Sequence, residues 1–187
     1  YNNNSIIRQN EQSLALRVKR LETTDSRAVF KNISVDMRQF KKLKMFIHAE
    51  ALPADSAPVA NNEMVGFIRF GNDFTENFYQ IEVPLEVSAA GANTPELVWP
   101  EANNIDLQLD LLTQLKILSR QNPPLGPNEI FYQMENQLDP SRPAKLKIGV
   151  RGNPNFGLVR TLMVGIKNNT TGGTDPAGGT LLPKDVS

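Results

Sequence analysis

The sequence predicts a mainly β protein: an antiparallel β-sandwich of the jelly-roll kind, with one or two short helices. In several short runs, apolar residues recur at every second position, which is the pattern of a strand with one buried face. Loops rich in proline and glycine separate these runs, and the 187 residues include 13 prolines and 12 glycines. About nine short strands with such loops are typical of a sandwich.

The clearest pattern covers residues 65–87 and predicts a long antiparallel hairpin at the centre of a sheet. Gly71-Asn72-Asp73 supplies the turn between its two runs. We expect one face of the second strand to be buried and the other to be more exposed. The face expected to be buried carries Tyr79, Ile81, Val83 and Leu85, and the other carries Gln80 and Glu82.

Before the hairpin, the pattern predicts strands over 14–18, 28–31 and 43–49. One helical turn is predicted over 34–40, capped by Ser34, whose hydroxyl can accept a free backbone N–H. The polar turn that leads into an alternating strand over 36–47 resembles the jelly-roll, galactose-binding-like domains found among carbohydrate-binding modules.

After the hairpin, the apolar period changes within 105–120. Ile105, Leu107 and Leu109 alternate as in a strand, whereas the leucines after Asp110 have helical spacing. We therefore predict a strand followed by a helix capped by Asp110, with one continuous helix as the alternative. Further strands are predicted over 130–134, 146–150 and 158–166, the last of them central because it is apolar on both faces.

The chain is predicted to hold one domain. Residues 1–12 are polar and rich in asparagine, and we expect a loose lead-in there. Residues 13–167 carry the β-sandwich pattern. Residues 168–187 are rich in glycine, threonine and asparagine and are expected to be a flexible tail.

Composition excludes several classes of function. Lys plus Arg and Asp plus Glu are 20 each, so nothing steers the chain to nucleic acid or to an anionic membrane surface. There is no cysteine and only one histidine, so neither a disulfide framework nor an ordinary zinc site is expected. No apolar run approaches the length of a transmembrane helix.

A structural calcium ion is the one metal that the residues suggest. Asn72, Asp73, Glu76 and Asn77 lie in one short loop and offer the oxygen ligands that Ca²⁺ prefers. The alternative is that these residues only make the turn. No other cofactor is predicted.

Aromatic residues suggest a second ligand site. Trp99, Phe74, Phe78 and Tyr132 could form a platform on which a sugar stacks, or they could be core and rim packing. Arg69 lies within the hairpin, where an unpaired charge would be costly to bury, and we expect it to pair with a carboxylate such as Glu82.

No catalytic constellation is visible, and we expect no enzyme. His48 stands alone and is expected to be structural or at the surface. Ser34 and Ser119 lack a nearby base, and no GxSxG elbow occurs. The acidic residues near the hairpin are expected to be a solvated face rather than a glycosidase pair: they are Asp73, Glu76, Glu82 and Glu86.

Four stretches, in order, carry a resemblance to a known family: 27–51, 67–85, 99–116 and 150–168. Together they resemble a segment of SprA (Sov), the giant outer-membrane translocon of the type 9 secretion system of Bacteroidota. That family's chain is far longer, so the resemblance implies a soluble fragment that lies on the extracellular or the periplasmic side. It implies partners among the other segments of the translocon and its secretion-system proteins, and a role in gliding motility.

Two functions from different classes follow. The resemblance implies a non-catalytic structural and interaction domain of a protein-export translocon, with a fragment that is monomeric. The jelly-roll pattern alone suggests a carbohydrate-binding module at the cell surface, with Trp99, Phe74 and Tyr132 as ligand residues.

Overall fold

The computed structural model describes residues 13–52, 58–89, 91–122, 126, 129–170 and 184–187. Within these ranges the chain forms short strands joined by loops and a few helical turns. The strands are β1 (Val18–Leu21), β2 (Ser26–Val35), β3 (Lys42–Met45), β4 (Met64–Gly71), β5 (Phe78–Pro84), β6 (Ile105–Gln108), β7 (Phe131–Met134), β8 (Lys147–Arg151), β9 (Val159–Asn168) and β10 (Lys184–Val186). The α-helices are α1 (Pro95–Val98), α2 (Asp110–Gln121) and α3 (Glu135–Leu138), and 3-10 helices cover Met37–Gln39, Glu101–Asn103 and Phe156–Leu158.

One large sheet dominates the molecule. Its six strands are all antiparallel and run in the order β2-β9-β4-β5-β8-β7. Two small antiparallel sheets, β3-β6 and β1-β10, accompany it. The predicted mainly β, antiparallel class is confirmed, and the arrangement is compatible with a sandwich.

The core lies on one face of the six-stranded sheet, which we call the inner face. Ile68, Ile81 and Ile148 lie side by side on β4, β5 and β8 and point into it. Helix α2 and the β3-β6 sheet cover them and contribute leucines and an isoleucine to the same cluster. These covering residues are Ile105, Leu107, Leu109, Leu111, Leu112 and Leu115.

The predicted central hairpin is confirmed as β4 and β5, with Ile68 opposite Ile81. Gly71 ends β4 at a close approach to the returning strand. A Cβ added there would lie 2.2 Å from the carbonyl oxygen of Asn77, so only glycine fits the backbone at this turn.

The predicted split of residues 105–120 is also confirmed. Strand β6 ends at Gln108 and helix α2 begins at Asp110. Leu109 occupies the cap position, one residue before the predicted cap, and the carboxylate of Asp110 accepts from the N–H of Leu111 at 3.0 Å.

Strand β2 is longer than predicted, spanning Ser26–Val35 instead of 28–31. Ser34 does not cap a helical turn, because it still lies in this strand. The cap of the following 3-10 helix is Asp36, whose carboxylate accepts from the N–H of Arg38 at 3.0 Å. A carboxylate is an equally good cap, and the longer strand moves the helix start by two residues.

The structure describes part of the predicted tail and none of the predicted lead-in. The lead-in over 1–12 lies outside the described residues. At the other end, Lys184–Val186 form β10, which pairs with β1, and Val186 is buried in the core. These residues of the predicted tail are therefore a core strand. No helix of the described chain is long and apolar enough to cross a membrane.

Candidate functional site

The loop between β4 and β5 holds the residues predicted to bind calcium, and Asp73 organises it. One oxygen of its carboxylate accepts from the N–H groups of Thr75, Glu76 and Asn77 at 3.0, 2.5 and 3.0 Å. The other accepts from the side-chain amide of Asn77 at 2.9 Å. The Asp73 carboxylate therefore holds the loop together by accepting hydrogen bonds from the residues that follow it.

These contacts also set the charge of Asp73. Partial burial acts to raise the pKa of its carboxyl group, but the hydrogen bonds from Glu76, Asn77 and Thr75 outweigh burial and lower the pKa to about 2. The group is therefore a carboxylate at neutral pH, stabilised by loop amides.

The two asparagines of the loop hold it against the turn between β8 and β9. Asn72 donates to the carbonyl of Leu158 at 2.7 Å and accepts from the N–H of Asn155 at 2.7 Å. The side-chain oxygen of Asn77 accepts from the N–H of Asn153 at 3.0 Å. The two loops thus form one hydrogen-bonded corner of the sheet.

This corner bears directly on the calcium prediction. Of the four predicted ligands, Asn72, Asp73 and Asn77 already direct their side-chain oxygens at N–H groups, and only Glu76 is exposed. No group of three or more His, Asp or Glu residues within the described ranges could hold a metal. These contacts favour the turn-making alternative, and a calcium titration tests the predicted site directly.

The face of the sheet opposite the core, which we call the outer face, carries a buried polar network. Gln80 and Glu82 are only 6% and 5% exposed. The side-chain amide of Gln80 donates to Glu82 at 2.6 Å and contacts the Tyr132 hydroxyl at 2.9 Å, and that hydroxyl donates to Glu82 at 2.8 Å. The ammonium group of Lys147 lies 3.8 Å from the same carboxylate. Gln80 and Glu82 are thus slightly more exposed than Tyr79, Ile81 and Val83, as predicted, but both are buried. The expectation that Glu82 belongs to a solvated acidic face is wrong.

Glycine explains why this face is closed to water. Tyr132 lies opposite Gly149 in the sheet, and a Cβ added at Gly149 would meet the tyrosine ring at 2.5 Å. The ring therefore lies across the glycine, and Lys147 sits over the ring at 4.2 Å. Burial, followed by the negative charge of Glu82, raises the pKa of Tyr132, so its hydroxyl keeps the proton that it donates.

Arg69 joins this network indirectly. Its guanidinium donates to the side-chain oxygen of Gln80 at 2.8 Å and to the carbonyl of Phe74 at 2.9 Å, and it stacks over the ring of Phe78 at 4.0 Å. The direct pair with Glu82 that the sequence suggested is thus replaced by a contact through Gln80.

The side chains of the three aromatic residues predicted as sugar ligands each pack against different partners. Trp99 packs edge-on against His48 at 5.7 Å between ring centroids, and Phe74 packs against Phe30 at 4.9 Å. Tyr132 belongs to the outer-face network. The recorded contacts do not build one platform from them, and the sugar site stays a prediction.

His48 lies beside a serine and a glutamate. Its Nδ1 is 2.6 Å from the carbonyl of Val98 and 3.3 Å from the Ser88 hydroxyl, and its Nε2 is 3.6 Å from the Glu50 carboxylate. A carbonyl only accepts, so Nδ1 carries the hydrogen and cannot take a proton from Ser88. The group holds the segment around Val98 in place and has no activated nucleophile.

Sequence reasoning missed a second buried carboxylate. Glu135 is 1% exposed, accepts from the N–H of Leu146 at 3.0 Å and pairs with Arg142 at 3.2 Å. It follows directly after β7, where no apolar alternation marks it. It is the first residue of α3, and its contacts with the residue before β8 and with Arg142 fit a structural role.

The described contacts thus define a β domain whose polar side chains bind one another and the backbone. A family described as motility related/secretion protein, SprA_N, matches residues 2–180. The chain belongs to this family, and the resemblance seen in the sequence is confirmed at that level. No curated protein matches the chain.

Proposed function

We propose that this chain is a non-catalytic structural and interaction domain of an outer-membrane protein-export translocon, the type 9 secretion machinery that also serves gliding motility. Its partners are other segments of the same translocon and the proteins that assemble with it. Membership of a motility- and secretion-related family supports this setting.

The observation that carries the proposal is the outer-face network. Glu82, Gln80 and Tyr132 are held by one another at 2.6–2.9 Å, under the side chain of Lys147. In an active site, such groups would be poised toward a cleft. Here they fasten three neighbouring strands of the sheet, β5, β8 and β7, together, which gives a rigid surface suited to act as a wall or a docking platform.

The experiment that tests the proposal uses cells that make the full translocon. Replacing this segment by a short linker is expected to block cargo export, or to leave the pore ungated, while the rest of the protein still inserts. Protein levels are followed by blot and cargo by secretion assay. Normal export after the replacement would refute the proposed role.

Single substitutions separate a structural role from a chemical one. His48→Ala, Asp73→Asn and Glu82→Gln are each expected to leave export nearly unchanged as long as the domain folds. A single variant that folds fully but abolishes export would instead reveal chemistry at that residue.

A further inference from the structure

We propose that strand β2 is a docking edge that accepts an extended, acidic segment of another polypeptide as an additional strand of the sheet. The inference deepens the interaction role proposed above and rests on it for the biological setting. The backbone, the exposed side chains and the charge of this edge carry the argument.

The two edges of the six-stranded sheet differ sharply. Strand β2 is ten residues long, and every residue except Ile33 is exposed. The opposite edge, β7, has four residues, all partly buried, and runs directly into helix α3. Short or covered edges resist further pairing, whereas a long open edge is a template for it.

The backbone polar groups of β2 can be assigned from its register. The N–H of Asn168 donates to the carbonyl of Asp25 at 2.9 Å, which is the bond that flanks Ser26 and Lys167 when they form a non-bonded pair. Opposed residues of an antiparallel ladder alternate between bonded and non-bonded pairs, and the register is regular from Ser26 to Asn32. Ala28, Phe30 and Asn32 therefore point their N–H and C=O groups away from β9.

At one end of this edge the backbone N–H and C=O groups already have partners, and this limits the part of β2 that is open to pairing. The N–H of Ser26 donates to the Asp25 carboxylate at 2.8 Å, and its carbonyl accepts from Arg27 at 3.1 Å. Beyond Ser26, β2 is paired on one side only among the residues that the structure describes. Residues 28–32 thus offer an added strand three donors and three acceptors.

Apolar side chains flank these groups on both faces of the edge. Val29 is 43% exposed on the inner face, and Phe30 is 66% exposed on the outer face, where it touches Phe74. A strand added beside β2 would cover both side chains at once, since its own side chains alternate between the same two faces. No proline or bulge interrupts residues 28–32 to prevent such pairing.

The charged side chains beside β2 determine which kind of strand can be added to it. A groove of about 300 Å³ lies between the segment 16–19 and the start of β2, and its charged lining consists of Arg17, Lys19 and Arg27. Lys31 follows on the same face of β2 as Arg27 and is exposed. Arg27 already pairs with Asp25, so the excess positive charge here comes from Arg17, Lys19 and Lys31. The edge therefore favours a strand with acidic side chains on its inner face.

The same cations oppose one register of pairing with a second copy of this chain. Arg27 and Lys31 flank Val29 symmetrically, so two antiparallel β2 strands paired through Val29 would set Arg27 opposite Lys31. Like charges directly opposite each other destabilise a strand pair. An acidic partner removes this repulsion in that register. A copy avoids it only by pairing through Phe30, and the dimerisation outcome of the test below distinguishes that occupant.

The test measures binding of two fluorescent ten-residue peptides to the 187-residue chain, one alternating valine and glutamate and one alternating valine and lysine. The glutamate peptide is expected to bind about tenfold more tightly, because each glutamate placed opposite Lys31 or Arg27 gives an attraction where the lysine peptide gives a repulsion. The double variant Arg27→Glu, Lys31→Glu should reverse the preference. Lys44→Glu, on the separate β3-β6 sheet, is the matched charge control and should keep it.

A second variant tests the backbone contacts. Ala28→Pro removes one outward N–H without touching the bonds to β9 and should weaken the glutamate peptide at least about tenfold. Its melting curve verifies the fold, and Asn32→Pro is the alternative if it unfolds. In the unsubstituted chain, the peptide should slow amide hydrogen exchange at Ala28, Phe30 and Asn32.

Equal affinity for the two peptides, or unchanged binding by a folded Ala28→Pro variant, would overturn the proposal. So would dimerisation of the chain alone that Ala28→Pro abolishes, because the occupant would then be a second copy. Normal export after segment replacement with the peptide preference intact would refute the translocon role alone. Blocked export without any peptide preference would refute the docking edge alone.

Discussion

Strand β5 buries both of its faces, and it does so by two different kinds of chemistry. On the inner face, Tyr79, Ile81 and Val83 are 2%, 0% and 0% exposed and pack in the apolar core. On the outer face, Gln80 and Glu82 are 6% and 5% exposed and lie in the hydrogen-bonded network. Alternation of apolar and polar residues thus distinguishes the two faces of a strand, but it does not show whether the polar face is exposed to solvent.

The largest effect is expected on the inner face. Ile81→Ala should lower the free energy of unfolding by about 2–5 kcal/mol, because the side chain is fully buried and its removal leaves a cavity. Urea denaturation at neutral pH measures the change. Val87→Ala, at a half-buried position past the end of β5, serves as the control. A loss below about 1 kcal/mol at Ile81 would show that the inner face tolerates a cavity by collapsing into it.

The outer face should respond to loss of a single acceptor. Glu82→Ala leaves the Gln80 amide and the Tyr132 hydroxyl without their shared partner, and about 1–3 kcal/mol of stability should be lost. Glu76→Ala changes an exposed carboxylate in the same hairpin and should lose at most about 0.5 kcal/mol.

A double-variant cycle shows whether the outer face acts as a network. Tyr132→Phe removes only the hydroxyl, and its effect combined with Glu82→Ala should be smaller than the sum of the two single effects by at least about 0.5 kcal/mol. Strict additivity would mean that Glu82 and Tyr132 are buried side by side without energetic coupling, and the network would then not be a unit.

The same contrast explains what the sequence could and could not predict. The hairpin and the strand-to-helix change after Gln108 follow from local periodicity, which each segment carries by itself. The burial of Glu82 depends on the Tyr132 ring lying across Gly149, a contact between β7 and β8. A glycine opposite an aromatic residue is the signal, but it appears only when the strand pairing is known.

Edge strands and loops show the same limit. Strand β2 was predicted too short because an edge exposed on both faces has no buried side to produce alternation. The residues of the β4–β5 loop predict a set of oxygen ligands, whereas the N–H groups that bond to those oxygens, such as those of Asn153 and Asn155, lie far along the chain. The residue types of a loop indicate which oxygens could bind a metal. Only the fold shows which of those oxygens already accept hydrogen bonds from N–H groups.

The loop carboxylate provides a test that depends on pH. Because the pKa of Asp73 is lowered to about 2 in the folded chain, its charge stabilises the fold above the unfolded pKa and this stabilisation is lost as the pH falls from about 5 to 2. The side chain is half-buried, so after screening by solvent we expect about 1 kcal/mol at neutral pH. Asp73→Asn should therefore be less stable than the unsubstituted chain at pH 7, and most of the difference should be lost at pH 2.

A matched variant isolates the charge of Asp73. Asn72→Ala also breaks hydrogen bonds of this corner but removes no ionisable group, so its loss of stability should not vary over the same pH range. Urea melts at pH 7, 4 and 2 compare the three proteins. A difference for Asp73→Asn that stays constant down to pH 2 would mean that the carboxylate acts only as a neutral acceptor.

The smallest effect is expected from calcium, and it extends the comparison of the two faces to the loop. On the outer face, buried polar atoms are satisfied by protein partners, and in the loop the oxygens of Asn72, Asp73 and Asn77 likewise accept from N–H groups. An ion would have to displace those bonds before it could bind. We therefore expect that millimolar calcium, or a chelator, leaves the melting temperature unchanged.

Thermal melting is sensitive enough to detect a calcium site. A ligand that binds only the folded state raises the free energy of unfolding by RT ln(1 + [L]/Kd), so a site with a dissociation constant one hundredth of the calcium concentration would add about 2.7 kcal/mol. Magnesium at the same concentration controls for ionic strength, and Glu76→Gln removes the one exposed carboxylate of the loop. A rise in melting temperature that is specific to calcium and lost in Glu76→Gln would establish the calcium site and show that this loop rearranges to bind the ion.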